Sequence, residues 1–248
     1  MSKVKLDPQG KIALVSGANR GIGKAIVVEL LENGVSKVYA GARNINSLEG
    51  LVAQYGERVV PVELDVTKQS TIDALSNKVE GLDILVNNAG VFSIGKIFSD
   101  TALSSLKENL DVNVWGLVNL TRAFTNELQK EKETAIINIS SLAGLANMPM
   151  AATYSVSKAA VHSITQGMRA ELVNNNALVV GVYPGPIDTD MAANLQMEKD
   201  SPENVAKDIV NALKEGVEDV FPDVMSKEAG AYYATNPKGV EQQFGTFV

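Results

Sequence analysis

An α/β fold, a doubly wound parallel sheet of about seven strands with helices on both faces, is what this 248-residue chain predicts. Three observations carry that reading. Short apolar runs of strand length alternate with stretches of helical periodicity along nearly the whole chain, the pattern of repeated strand–helix–strand units with right-handed crossovers. A glycine-rich turn joins the first strand to the first helix. Polar residues able to do chemistry recur just after the apolar runs, where the carboxyl ends of parallel strands leave a crevice for ligands.

The bulk numbers fit this fold and exclude several classes. Hydrophobic content of 45% supports a substantial core, and residues 1–248 read as one domain with no repeat, linker or low-complexity stretch. No apolar run approaches the roughly 20 residues of a membrane span. The opening MSKVKLDPQGK lacks the apolar centre of a signal peptide, so a cytoplasmic location is expected. Without cysteine there is no disulfide and no thiolate metal site. The single histidine, His162, leaves little for a metal centre and reads as a solvent-facing helix residue, so no metal is expected. A net charge of −7 argues against nucleic acid or an anionic membrane as partner.

Taken in order, residues 11–15 form the first strand and residues 16–23, SGANRGIG, the glycine turn. Helical spacing follows up to a stop at Gly34. Such a turn aims backbone N–H groups and the positive helix end at a phosphate. The spacing, G-x-x-x-G-x-G through Gly17, Gly21 and Gly23, differs from the commoner G-x-G-x-x-G. The second strand, 37–42, ends in Ala42-Arg43, where many nicotinamide-binding folds carry an acid for the ribose hydroxyls. Arg43, together with Arg20 inside the glycine loop, suits a 2′-phosphate instead, which points to NADPH, with NADH the alternative. A helix over 47–55, a strand over 59–64 ending at Asp65-Val66, a helix over 69–79 and a strand over 82–86 ending at Asn87-Asn88-Ala89-Gly90 continue the alternation.

A long helix is expected over 101–128, with Asn113 near its middle as a core amide, a bend or a water site. The strand 135–139 opens into Ser140-Ser141, and a helix then carries Tyr154 and Lys158. Four residues is about one helical turn, so phenol and ammonium share a face. A lone tyrosine, with a pKa of about 10, is a poor acid or base near neutrality. A nearby cation is expected to lower it toward a working range while Ser141 holds a substrate oxygen. The strand 177–183 ends at Pro184-Gly185, and a Met-rich segment with Met191, Leu195 and Met197 follows. Residues 188–203 read either as a mobile lid over the substrate or as a packed helix. Ser201-Pro202-Glu203 opens a helix ending at Gly216, and 219–221 makes a last short strand. The tail, 223–248, carries Tyr232, Tyr233, Phe244 and Phe247, and is expected to pack on a neighbouring subunit or close the pocket.

These motifs, Ser16-Gly17-x3-Gly21-x-Gly23, Leu64-Asp65-Val66, Asn87-Asn88-Ala89-Gly90, Asn113, Ser141, Tyr154, Lys158 and Pro184-Gly185, resemble the short-chain dehydrogenase/reductase family in order and approximate spacing over nearly the whole chain. Ser16 stands where that family usually has threonine. The resemblance implies a Rossmann-like dinucleotide fold and a homo-oligomer, dimer or tetramer. It implies Tyr154 as general acid/base, Ser141 orienting the carbonyl, and Lys158 binding the nicotinamide ribose and lowering the tyrosine pKa. Asn113 would hold a water linking Lys158 to solvent, and Asn87 would belong to the cofactor-side framework. The implied cofactor contacts are Gly17, Asn19, Arg20, Gly21, Ile22, Gly23, Arg43, Asp65 (toward the adenine amino group), Val66, Asn88, Ala89, Gly90, Pro184, Gly185, Ile187 and Thr189.

The function expected is NADPH-dependent carbonyl reduction, reversible on secondary alcohols. Phe92, Leu142, Ala143, Leu145, Tyr183 and Met191 are expected to line an apolar pocket for small to medium ketones or aldehydes. One alternative is 3-oxoacyl-[acyl-carrier-protein] reduction. Asp188, Asp190, Glu198, Asp200 and Glu203 would repel an acidic carrier there, although Lys130, Lys132 or Arg169 could supply a basic site elsewhere. Another is a cofactor-binding scaffold or sensor that has lost catalysis.

Overall fold

The computed structural model describes residues 4–129 and 132–247. Seven parallel strands form one sheet: β1 (Ile12–Ser16), β2 (Lys37–Ala42), β3 (Val59–Glu63), β4 (Ile84–Asn87), β5 (Thr134–Ile139), β6 (Ala177–Val182) and β7 (Asp219–Val220). Their spatial order is β3-β2-β1-β4-β5-β6-β7, so the order reverses between β1 and β4. A crevice opens at such a reversal because successive crossovers leave toward opposite faces.

Strand alternation builds two cores at once. Ala13, Val15, Ile84, Val86, Ala135 and Ile137 face one side, together with α1 (Gly21–Glu32), α2 (Glu49–Tyr55) and α8 (Pro202–Glu215). Leu14, Leu85, Ile136 and Val179 face the other, against α3 (Gln69–Ser76) and the helices of the central crossover. Successive side chains of a strand point to opposite faces, so near-continuous apolar runs are what a sheet covered twice requires.

The single helix expected over 101–128 is instead segmented. Helix α4 (Ala102–Leu110) runs into a π-helical turn (Asp111–Gly116), then α5 (Leu117–Ala123) and α6 (Thr125–Leu128). Asn113 is a buried, hydrogen-bonded core amide, and it also lies within the wide turn, a common cause of a bend in a helix. Gly116 permits the close approach to β3's end, since a Cβ there would lie 2.6 Å from Val66 Cγ2.

Helix α7 (Ala152–Glu171) carries Tyr154 and Lys158. Helix α8 begins as predicted, with the Ser201 hydroxyl accepting from Asn204 N–H and Pro202 at its first position, and stops at Gly216 in the left-handed region. Between β6 and α8, the packed helix that residues 188–203 could have formed is absent before Pro202. One 3₁₀ turn (Asp190–Ala192) is followed by a loop whose ends are tied, Asp188 N–H to Asp200 O at 2.8 Å and Asp200 N–H to Pro186 O at 3.1 Å. The tail folds into α9 (Val224–Thr235) and α10 (Pro237–Phe244) and packs on its own chain, burying Ala229, Val240 and Phe244 against Leu142. Among the described residues no helix is long and apolar enough to cross a membrane.

Candidate active site

The glycine turn is held open at the end of β1. Gly17 and Gly21 take positive φ of 66° and 51°. Gly23 sits so close to the turn that a Cβ would lie 2.2 Å from Gly17 O and 2.4 Å from Asn88 Nδ2. Asn88 clamps the turn from β4, its amide donating to Ser16 O at 2.8 Å and Gly17 O at 3.0 Å. The Ser16 hydroxyl closes the web, donating to Val86 O and accepting from the Asn88 and Ala89 N–H groups. No side chain caps the start of α1, so its first-turn N–H groups have no side-chain acceptor competing for them.

From this turn a cavity of about 690 Å³ runs across the carboxyl ends of the strands. Gly17, Asn19, Arg20, Gly21, Ile22, Gly23, Arg43, Asp65, Val66, Asn88, Ala89, Gly90, Pro184, Gly185, Ile187 and Thr189 all line it. Arg43 is exposed at the rim. Arg20 is not free, since it reaches across to the loop after β6 and pairs with Asp190 at 2.9 Å. Asp65 is bound by the Thr67 backbone and hydroxyl, with Lys68 at 3.6 Å. Burial works against its charge, but the Thr67 hydrogen bonds and the Lys68 ammonium hold its pKa below the usual value.

At the far end of the cavity stand Ser141, Tyr154 and Lys158. Ser141 leaves the end of β5, its hydroxyl accepting from Ala143 N–H at 3.2 Å. Lys158 Nζ donates to Ile139 O at 2.8 Å and lies over the Tyr154 ring, 5.6 Å from its centroid. This corrects the expected electrostatics. Burial pushes the Tyr154 phenol up to about 12, with only a hydrogen bond to Ser141 pulling it down, and burial depresses Lys158 to about 8. The ammonium faces the ring and a carbonyl, so desolvation outweighs any cationic lowering of the phenol.

Four predicted site residues sit elsewhere. Asn113 is buried and does not line the cavity, its Oδ1 accepting from Val91 N–H at 2.8 Å and its Nδ2 donating to Val91 O and Ser157 Oγ. Asn87 points into the sheet–helix interior, donating to Thr121 Oγ1 and Asn138 Oδ1, rather than to the cavity. Tyr183 does not line the cavity. Its ring stacks on Phe221 with centroids 5.3 Å apart, and its hydroxyl meets His162 Nδ1 at 2.7 Å. His162 is therefore half-buried and engaged rather than solvent-facing. Leu145 packs beneath the tail with Leu142.

Phe92, Leu142, Ala143 and Met191 do line the cavity. Sequence reasoning missed Met148, Met150 and Met225, which with the tail's Phe247 complete its apolar end. Phe247 comes from the tail, and its carbonyl accepts from Met150 N–H at 2.9 Å, so the tail closes the pocket of its own chain. Five of the seven methionines line this one cavity: Met148, Met150, Met191, Met197 and Met225. The clustering of methionine after residue 147 was the available signal.

Comparison with known proteins agrees with this architecture. The family model described as short chain dehydrogenase matches residues 11–200. An uncharacterized oxidoreductase of Staphylococcus aureus (strain MRSA252) is 35% identical over 213 residues, covering 82% of this chain and 90% of that protein. A 3-oxoacyl-[acyl-carrier-protein] reductase of Aquifex aeolicus is 34% identical over 197 residues, covering 77% and 79%. Among solved structures, a short chain dehydrogenase from Burkholderia cenocepacia J2315 in complex with NADP superposes with a TM-score of 0.90 at 32% identity, over 97% of this chain and 99% of that one. The chain belongs to the short-chain dehydrogenase family of oxidoreductases.

Proposed function

We propose that the chain is an NADPH-dependent carbonyl reductase, reversible on secondary alcohols and acting on small to medium hydrophobic ketones or aldehydes. The observation that carries this is one continuous cavity. It joins an uncapped helix N-terminus and a glycine cradle to Ser141 and Tyr154, and ends in apolar side chains. The cradle fits a dinucleotide: Gly23 lets the start of α1 close onto the turn, since a Cβ there would meet Gly17 O at 2.2 Å, and open N–H donors suit a diphosphate. Bound NADP in the Burkholderia cenocepacia structure supports the same cofactor here. The nicotinamide, when bound, supplies the hydride. Lys158 would hold its ribose, Ser141 would orient the substrate oxygen, and Tyr154 would protonate it. Oxidation of NADPH across a ketone panel tests the reading, and no turnover with any carbonyl would end it.

Arg43 and Arg20 are the candidate 2′-phosphate ligands. Arg43→Ala is expected to weaken NADPH binding by about tenfold or more while leaving NADH nearly unchanged, as loss of one charge-assisted contact does. Fluorescence titration of both reduced cofactors checks this, and equal losses would remove the argument.

With a phenol at about 12, the proton donor stays loaded near neutrality. Reduction is therefore expected not to climb with pH from about 6 to about 9, whereas alcohol oxidation, which needs the phenolate, climbs over the same range. Oxidation rates flat across that interval would contradict Tyr154 as the base.

A second reading, 3-oxoacyl-carrier-protein reduction, draws on the Aquifex aeolicus relative. The acidic rim opposes it: Asp190 lines the cavity, and Asp188 and Glu198 lie on the same loop. Of the basic residues considered for carrier docking, Arg169 is engaged with Asp219 and Lys132 with Asp83, while Lys130 lies outside the described residues. Turnover of carrier-bound but not free substrate would reverse the ranking. A cytoplasmic homo-oligomer completes the proposal, and light scattering that gives a monomer would dismiss the oligomer.

A further inference from the structure

We propose that Asn109 is a positioning residue for the reacting end of the cavity: with Thr153 it fixes the segment after β4 so that Phe92 stands against Tyr154. The inference rests on reading Tyr154 as the proton donor, and it concerns what shapes the space around that donor.

Two asparagines one helical turn apart, Asn109 in α4 and Asn113 in the π-helical turn, face two hydroxyls one turn apart on α7, Thr153 and Ser157. Each asparagine binds both backbone groups of one residue in the segment 91–95. Asn113 takes Val91, and Asn109 takes Ser93, accepting from its N–H at 3.1 Å and donating to its C=O at 2.8 Å. The same amide nitrogens reach Ser157 Oγ at 3.0 Å and Thr153 Oγ1 at 3.3 Å. Two rungs thus cross three elements, Val91–Asn113–Ser157 and Ser93–Asn109–Thr153. The residues next along α7 from the two hydroxyls are Lys158 and Tyr154. A further tie, Thr153 N–H to Gly95 O at 3.1 Å, fastens the segment to α7, and it lies flush on α4 as well, where a Cβ on Gly95 would lie 2.0 Å from Ser105 Oγ.

With residues 91, 93 and 95 held on the helices, Phe92 lines the cavity, its ring edge-on to Tyr154 with centroids 4.8 Å apart at 87°. Asn109 itself is 0% exposed and does not line the cavity, so it acts only through Ser93 and Thr153. Removing its amide leaves the Ser93 N–H without its partner and the Ser93 C=O with only the Thr153 hydroxyl, 3.3 Å away, and the segment must shift to recover hydrogen bonds. The Phe92 wall moves with it.

The test compares Asn109→Ala, Thr153→Val, Phe92→Ala and the Asn109→Ala/Phe92→Ala double variant, using kcat/KM for a linear methyl ketone and a bulky aryl ketone. Asn109→Ala is expected to shift the bulky-to-linear ratio about tenfold in the direction of Phe92→Ala, through KM more than kcat, with NADPH affinity within about twofold. The double variant is expected to shift no further than Phe92→Ala alone. Equal losses on both ketones, or additive shifts in the double variant, would overturn the proposal. If Asn109→Ala does not fold, Thr153→Val, which removes one hydroxyl from the same rung, decides it by the same ratio. If the native protein reduces no carbonyl, the reductase reading fails separately. A crystal structure of the Asn109 or Thr153 variant then decides the inference by whether Phe92 has left Tyr154.

Discussion

Tyr154→Phe is expected to lower carbonyl turnover by at least about 100-fold while NADPH still binds with near-native affinity. The substitution deletes one hydroxyl and keeps the ring, so the edge contact with Phe92 and the position of Lys158 over the ring survive. What disappears is the donor that meets the substrate oxygen beside Ser141. The phenol sits at about 12 because it is buried, so near neutrality it is a loaded acid, which favours the reductive direction. Steady-state turnover with a good ketone and a fluorescence titration of NADPH separate the two effects. Turnover within a few-fold of native would mean that another group delivers the proton.

Gly23→Ala is expected to do comparable damage by a different route. Its methyl group would need space already held by Gly17 O at 2.2 Å and Asn88 Nδ2 at 2.4 Å. Neither obstacle is the far end of a flexible chain: one is backbone, and the other is an amide fastened to Ser16 and Gly17. The turn must therefore open, breaking the Asn88 clamp and misaligning the first N–H groups of α1. Overpacking of this kind costs about 3 kcal/mol, which for a domain of this size lowers Tm by about 10 °C. NADPH affinity is expected to fall by about 100-fold or more, since the diphosphate cradle is the part displaced. A variant that melts and binds like the native protein would show that the turn adapts freely.

Much of this site was legible in the residues because parallel sheets impose a simple geometry. Whatever follows an apolar run lands at one edge, so Gly17, Arg43, Asp65, Asn87, Ser141 and Pro184 could be gathered without knowing the strand order, and all but Asn87 line the cavity. Direction around that edge was not legible. Tyr183 closes an apolar run just as Ser141 follows one, yet its ring turns toward Phe221 and His162. The choice depends on packing between α7 and β7, which lie far apart in sequence. Asn113 marked a special place in its helix, but periodicity could not say whether the helix bent there or carried a water. The wide turn appears only with Val91 in register against it. The sign of the phenol's shift failed for a related reason. Spacing puts ammonium and phenol on one face, but only coordinates reveal that the ammonium is directed to a ring and a carbonyl.

The concentration of thioethers around the cavity has an experimental consequence. With five of the seven methionines in its wall, a spectrum of ¹³C-labelled methionine methyls is chiefly a spectrum of that wall. Met168, packed between α7 and the sheet away from it, supplies an internal reference. Titrating cofactor and then candidate ketones into such a sample reads out, signal by signal, how far each compound penetrates, before any assay for the reaction exists.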